Sequence, residues 1–534
     1  MKKIAKFLIV LGMMGQLSSC DYLDIVPDER AQESDTWKTE GAVRGYLYSC
    51  YGYLPANRTF GNSYWLAEEL TAVTKELFTT FKYGYYSPVS LGFTSNTWST
   101  IWNGIHQCYM FQESLKQVSN EYVTDEMKKQ YLAESNFLIA YYHFLSMRSY
   151  GPTMIIRSVI DLETPISGFP ERSSIDEVVA FINEKLDEAM SEGGLPTTWS
   201  GKDYGRATRL AALALKSRVY LYAASPLYNG NTEMYADFRS PLDGRQLIAQ
   251  EKSQAKWEIS ATQTKYAIDE VEKAKFHLYH DADAGEPSDA KPGLPNKAQR
   301  RLRYTNIDNQ TGNNPEIIWA DTRNDDYYGI QRRCPPRQTL GGKFAGISMT
   351  NCPTLQTIEA FYTKNGLPIN KDKTFDYDER YEYISAPENC DGNNYEDLVK
   401  YANFTPSSDK VMRLCTDREP RFYAWTTYHN GYFEFGKYNN EEISADPAKR
   451  AIRIHLLRDD PHGRGNRTDQ EYSISGFGNK KGVVPSAEWN VIEYPFPLFR
   501  LAELYLNYAE ALVELDRLSE AKVYLDKVRE RAGI

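Results

Sequence analysis

Residues 499–514 read Phe499-Arg500-Leu501-Ala502-Glu503-Leu504-Tyr505-Leu506-Asn507-Tyr508-Ala509-Glu510-Ala511-Leu512-Val513-Glu514, and this stretch decides the fold. Its apolar positions Leu501, Leu504, Tyr505, Tyr508, Ala509 and Leu512 fall at i, i+3, i+4, i+7, i+8 and i+11, the stripe of a helix with one face toward a core. After a break at Asp516 to Ser519 a second stripe follows at Ala521, Tyr524, Leu525 and Val528. Together the two have the spacing of a tetratricopeptide unit of about 34 residues. Small residues at Ala509 and Ala521 let its two antiparallel helices approach closely.

Similar stripes recur upstream. Asn96 is a candidate cap for a helix through Trp98, Ile101, Trp102 and Ile105, and Thr124 or Asp125 for one carrying Ala133, Phe137, Ala140, Tyr141 and Phe144. Ser174-Ile175-Asp176-Glu177 forms a capping box, and Ser260 to Gln263 is a second candidate, before a helix reaching about Phe276. Ala207 to Tyr222 forms a further stripe, closed by Ser225-Pro226. Such pairs bury their faces only against neighbours, so one stacked superhelix is expected. Between about 277 and 497 the periodicity fades into Asn, Asp, Gly and Pro clusters with short strand-like runs such as Glu316-Ile317-Ile318-Trp319. So long an irregular stretch is too much for a passive loop, and function is expected there.

The chain has 534 residues, 41% apolar and 25% charged, which excludes a membrane-spanning, collagenous or wholly disordered protein. Lys2, Lys3 and Lys6 precede a short apolar run from Phe7 to Gly15, the pattern of an export signal over residues 1–20. Leu17-Ser18-Ser19-Cys20 resembles the lipobox of bacterial lipoproteins, which makes Cys20 the expected lipid attachment. Each buried acyl methylene contributes about 0.8 kcal/mol to such an anchor. Removing the signal takes away three lysines and no acid, so the exported chain is more acidic than the full sequence at −10. That balance argues against nucleic acid as a partner. No two of the remaining cysteines have C-x-x-C spacing, and a disulfide among Cys334, Cys352, Cys390 and Cys415 stays open.

Catalytic and cofactor motifs are absent: no G-x-S-x-G, no G-x-x-x-x-G-K-[ST] and no H-E-x-x-H. His277 and His280 share a helical spacing without a third metal ligand, and Asp281 to Glu286 lacks the register of a calcium loop. No metal and no cofactor is expected. The aromatic residues, 40 Tyr, 9 Trp and 22 Phe, are more informative. Trp98, Trp102, Tyr141 and Tyr142 have core spacing on helices, and Trp319 sits in an apolar run, so these are read as packing. Tyr83, Tyr85 and Tyr86 lie beside Gly84 and Pro88 with Trp65 upstream, and Tyr327 and Tyr328 lie between Asp326 and Arg332, none with a period that would bury it. Rings with a polar rim suit the apolar faces and hydroxyls of sugars. Trp65, Tyr83, Tyr85, Tyr86, Tyr327, Tyr328 and Arg332 are therefore the candidate glycan-binding residues.

The chain resembles the SusD/RagB family of outer-membrane nutrient-binding lipoproteins. The resemblance rests on the lipobox with Asp21-Tyr22-Leu23-Asp24 and Pro27; on Ala133 to Phe144 leading into Tyr150-Gly151-Pro152; on Gly205-Arg206-Ala207-Thr208 with Ala212 to Tyr222; on Glu359-Ala360-Phe361; on Asp417-Arg418-Glu419-Pro420-Arg421; and on Phe499 to Ala511 with Val528 to Gly533. It implies an all-α fold: a tetratricopeptide-like superhelix of four helix pairs with a large loop-rich insert containing a few short strands. The corresponding organisation is a signal peptide over 1–20, an N-terminal helical region over 21–230, and a second region over 231–534. The latter holds the ligand-binding insert (about 277–497) and a helix pair at 500–531. The implied function is capture of oligosaccharide at the cell surface, without catalysis, for delivery to a SusC-like TonB-dependent outer-membrane barrel, with the lipid facing the protein outward. A peptide ligand, as in RagB-type members, is the alternative within the family, and an exported glycoside hydrolase the alternative of another class. Family members continue for several helical turns past the Arg-Ala-Gly element, whereas this sequence stops at Ile534, so Tyr524, Leu525 and Val528 are expected to be poorly covered.

Overall fold

The computed structural model describes residues 37–55, 68–72, 95–161, 163–283, 297–308, 314–323, 329–336, 339–340, 343–344, 349–385, 410–434, 451–465, 472–484 and 493–534. Eight helices make the scaffold: α1 (Glu40–Tyr51), α2 (Ser95–Leu115), α3 (Asp125–Tyr150), α4 (Ile175–Ala189), α5 (Arg209–Ala224), α6 (Gln254–Lys273) and, after the insert, a final pair, Leu501–Glu514 and Leu518–Ala532. Each packs on its neighbour in sequence, and α6 packs on the 501–514 helix across the whole insert. The result is four stacked pairs, as expected. α3 sits at the centre, with every side chain from Ala133 to Met147 buried, because α2, α4 and the insert enclose it.

Local signals explain most of the boundaries. Thr124 caps α3 by accepting from Met127, Thr208 caps α5 by accepting from Ala211, and Ser174 and Glu177 close a full capping box on α4. Two expected caps are corrected. Asn96 is already inside α2, which begins at Ser95. Ser260 lies in the middle of α6 and is buried there, because burial of Trp257 extends the helix upstream to Gln254 and outweighs the Ser-x-x-Gln pattern. α6 ends at Lys273 rather than Phe276, since Lys275 adopts a positive φ of 72° that stops the helix. His277 and His280 follow it outside any helix, and Asp281 is committed to Arg301 at 2.8 Å.

The insert contributes α7 (Lys297–Ile307), α8 (Leu355–Ala360) and α9 (Pro420–Trp425), so the final pair becomes α10 and α11. Its strands are short, and those that position the site are β1 (Leu70–Thr71, contributed by the N-terminal region), β2 (Ile317–Asp321), β3 (Cys352–Pro353), β4 (Thr426–Thr427), β5 (Gly478–Asn479) and β6 (Phe496–Arg500). β2 pairs antiparallel with β6, zipping the start of the insert to its end. Trp319 of β2 docks this ribbon on the scaffold. Its ring meets Phe137 and Tyr141 of α3 edge-on at 5.0 and 5.2 Å and stacks on Phe499, and its indole donates to the Gly205 carbonyl at 2.9 Å. Cys334, Cys352 and Cys415 are separate buried thiols, and Cys390 lies outside the described residues.

The sequence strings singled out above turn out to contact one another. Arg206 forms an ion pair with fully buried Glu134 at 2.5 Å, and Tyr51 donates to the same carboxylate at 2.6 Å while accepting from the Ala207 amide. Arg218 of α5 pairs with Glu503 of α10 at 2.6 Å, and Asn507 donates to Ser217. Arg418 donates to the carbonyls of Ile358, Phe361 and Leu414, tying α8 to the approach to α9.

Removing one partner of a buried ion pair costs about 3–5 kcal/mol when the remaining charge has no other partner, and here Arg206 keeps Asp203 at 2.7 Å. Glu134→Ala is therefore expected to lower stability by up to that amount, read as a shift in the urea midpoint. A shift near zero would show that Asp203 alone compensates Arg206. In α11 only Ala521, Arg531 and Ala532 are fully buried, while Leu518, Val523 and Leu525 are exposed. Its amides are expected to exchange with deuterium well before those of α3, and equal protection of the two helices would contradict this.

Candidate functional site

Where the insert meets the N-terminal region there is a cleft of about 700 Å³. Leu70, Ile330, Phe361, Trp425, Tyr494 and Phe496 give it apolar walls, and Glu69, Asn306, Thr357, Asn479, Lys481 and Arg500 give it polar groups. This mixture of rings with a few placed polar groups is typical of ligand sites.

Each wall has a local cause. Trp425 ends α9, its indole donates to the Leu302 carbonyl at 3.3 Å, and its carbonyl accepts from Lys480 at 2.7 Å. β4 pairs with β5, setting Thr426 opposite Asn479. The Asn479 side chain then grips the next turn from both sides, accepting from the Lys481 amide and donating to the Lys481 carbonyl, each at 3.1 Å. Gly482 completes the turn at φ 77°, where a Cβ would also strike Ile330 at 2.8 Å, and Tyr494 donates to its carbonyl. This turn sets the Lys481 ammonium 4.6 Å from the centre of the Trp425 ring. On the opposite wall β1 pairs with β3, and the Glu69 carbonyl accepts from the Thr354 amide and the Thr357 hydroxyl. Phe361 rests edge-on against Phe422 at 5.7 Å. Arg500 is oriented by Glu316 at 2.9 Å.

Partial desolvation of its tip beside the Trp425 ring lowers the Lys481 ammonium to about 8, with Arg500, Arg421 and Arg531 adding to the depression and Glu69 opposing it, although the residue as a whole stays open to solvent. The unfolded chain holds that proton to about pH 10.4. Between those values the unfolded state binds more protons, so this group favours the fold increasingly as pH rises through that window.

Of the residues expected at the site, Cys20, Trp65, Tyr83, Tyr85, Tyr86, Tyr327 and Tyr328 lie outside the described residues. Arg332 belongs to the helical turn Ile330–Arg333, and its side chain also lies outside the description. Their neighbours in sequence are informative. Glu69 and Leu70 stand between Trp65 and the Tyr83 cluster, Ile330 follows Tyr328 by two positions, and all three line the one cleft. Sequence reasoning missed Trp425, Lys481, Tyr494 and Arg500. The one visible signal among them was the turn sequence Asn479-Lys480-Lys481-Gly482, because the rest is assembled by pairings between distant segments.

A second concavity, of about 430 Å³, opens beside Trp199 and Arg206. Its arginine is already spent on Glu134 and Asp203 and stacks on Trp199 at 4.1 Å, so its polar groups serve the scaffold. Among the described residues no group of three or more His, Cys, Asp or Glu is placed to hold a metal ion, and no helix is long and apolar enough to cross a membrane.

Residues 315–534 match a family described as the SusD family, and residues 21–221 match one described as starch-binding and associating with the outer membrane. No curated protein matches the chain in sequence. Among solved structures, a protein named BT4246 is 28% identical with a TM-score of 0.75, over 93% of this chain and 82% of that one. A SusD-like protein from Bacteroides fragilis is 20% identical with a TM-score of 0.64, over 94% and 80%. A structure described as containing a xylogluco-oligosaccharide is 16% identical with a TM-score of 0.51, over 93% and 76%. The last two show likeness of fold.

With its ammonium lowered toward about 8, Lys481 is expected at pH 8 to react with limiting acetic anhydride ahead of ordinary surface lysines such as Lys116. Peptide mass spectrometry reads the order. Modification of Lys481 no faster than of Lys116 would mean that the cleft does not depress it.

Proposed function

The chain belongs to the SusD/RagB family, and on that premise we propose that it captures an oligosaccharide in the Trp425 cleft, does not cleave it, and passes it to a SusC-like TonB-dependent outer-membrane barrel. The match of residues 21–221 to a family described as starch-binding and associating with the outer membrane supports a glycan as ligand. Anchoring through acylated Cys20, with the protein facing outward, is part of the proposal.

The observation that carries the reading is the cleft itself. Trp425, Phe361 and Phe496 offer ring surface, while Asn306, Asn479, Thr357 and Glu69 offer donors and acceptors for hydroxyls. Glu69 and Leu70, which follow Trp65, and Ile330, which follows Tyr328, open onto it, and Trp65, Tyr83, Tyr85, Tyr86, Tyr327, Tyr328 and Arg332 are proposed to complete the contact. A relative of the same fold is described with a xylogluco-oligosaccharide, which supports a sugar as ligand. Hydrolysis with a carboxylate pair needs two acids about 5–9 Å apart. Among the described lining residues Glu69 is the only one.

The test is retention of the purified chain on a panel of immobilised glycans, with product analysis. Binding without product is expected, and Trp425→Ala is expected to cost about 2 kcal/mol, roughly thirtyfold in Kd, with Trp425→Phe as a folding control. Release of shortened sugars, or retention of peptides in place of glycans, would overturn the reading.

A further inference from the structure

The charges in the cleft run against those of the whole chain. The sequence carries −10, yet the described charged groups lining the cleft are Lys481 and Arg500 against Glu69 alone. Arg500 does not spend a full charge on its partner. Glu316 is shared between Arg500 at 2.9 Å and Arg531 at 2.5 Å, so this cluster of two guanidiniums and one carboxylate keeps a positive excess. Nearby Arg421 is balanced by Glu419.

Lys481 is the decisive group. Its ammonium makes no ion pair and no hydrogen bond among the described residues, and its one contact there is the face of Trp425. Its backbone is nevertheless held on both sides by Asn479 and closed by Gly482 and Tyr494. Among the described residues Glu69 is the one acid lining the cleft, and it forms no ion pair with Lys481, so the ammonium is left available to an incoming anion. The side chain remains open to solvent, so an incoming group can reach it.

Resting on the glycan-binding reading above, we infer that the cleft selects an oligosaccharide bearing an anionic substituent, a uronic-acid carboxylate or a sulfate ester, which meets Lys481 and the Arg500 edge while a sugar ring packs near Trp425. The anion supplies an ion-pair partner that Lys481 lacks among the described residues, and the fixed turn means that little ordering is required when it arrives. Glu69 on the opposite wall repels a second anion and accepts from neutral hydroxyls, which favours isolated rather than closely spaced charges.

The experiment is calorimetric titration of the exported chain with three matched ligands: a uronate-containing oligosaccharide, its carboxyl-reduced neutral counterpart, and the neutral oligosaccharide carrying one sulfate ester. At low salt at least one anionic ligand is expected to bind tenfold or more tighter than the neutral one, with the ratio shrinking at high salt. The two anionic arms identify which substituent is preferred. Lys481→Met is expected to collapse the ratio toward one, and Lys481→Arg to keep most of it. Equal binding of neutral and anionic sugars, or a preference that survives Lys481→Met, overturns the charge inference and leaves glycan binding standing. Failure of the wild-type chain to bind any glycan overturns both.

Discussion

One buried carboxylate closes the molecule. Glu316 is fully buried at the start of β2, where it accepts from Arg500 at the end of β6, from Arg531 in α11 and from the Tyr279 amide just beyond α6. Those partners belong to the exit of the scaffold, its re-entry and its last helix. The long insert between α6 and α10 can be accommodated because loop-closure entropy grows only logarithmically with length, by about 0.6 kcal/mol per doubling. What must be specified is where its ends meet, and the β2–β6 ribbon, Glu316 and Trp319 do this together. A buried ion cluster is a weak source of net stability. Here its value is positional, because the same contact that closes the insert aims Arg500 at the cleft.

The aromatic residues divide by the same logic. Phe137, Tyr141, Trp319 and Phe499 form one contiguous knot between α3 and the ribbon, with edge-on contacts at 5.0 to 6.3 Å, and Tyr505, Tyr508 and Tyr524 repeat the arrangement in the last helix pair. These rings are spent on packing, and their hydroxyls find fixed partners, such as Glu272 for Tyr505 and Glu520 for Tyr508. Trp425 differs because it is only partly buried, stands at the end of a six-residue helix and shares its face with a lysine. An aromatic residue becomes available to a ligand where the element carrying it ends at a cavity, and composition alone does not reveal such places.

Helix caps show where sequence reading succeeds and where it fails. Ser174 and Glu177 satisfy each other's backbone amides across four residues, so the box at α4 is legible without any tertiary information. Ser260 and Gln263 have the same spacing, but burial of Trp257 against the neighbouring helices extends α6 past them, and Ser260 ends up inside the seam near the Ser217–Thr264 hydrogen bond. A local preference of about 1 kcal/mol yields to burial of a tryptophan worth more.

By itself the sequence determined the stacked helix pairs, because a 3.6-residue apolar period permits one way of burying each face. It also marked the irregular middle as too long for a passive loop, and the Phe499–Ala511 string as a helix of the superhelix. Only the tertiary structure decided the cleft. Leu70, Ile330, Trp425, Lys481 and Arg500 are scattered between positions 70 and 500, and they come together through two-residue strand pairings, one asparagine clamp and one shared carboxylate. None of these leaves a periodic trace in the chain, since a single cross-strand contact needs no repeat to form.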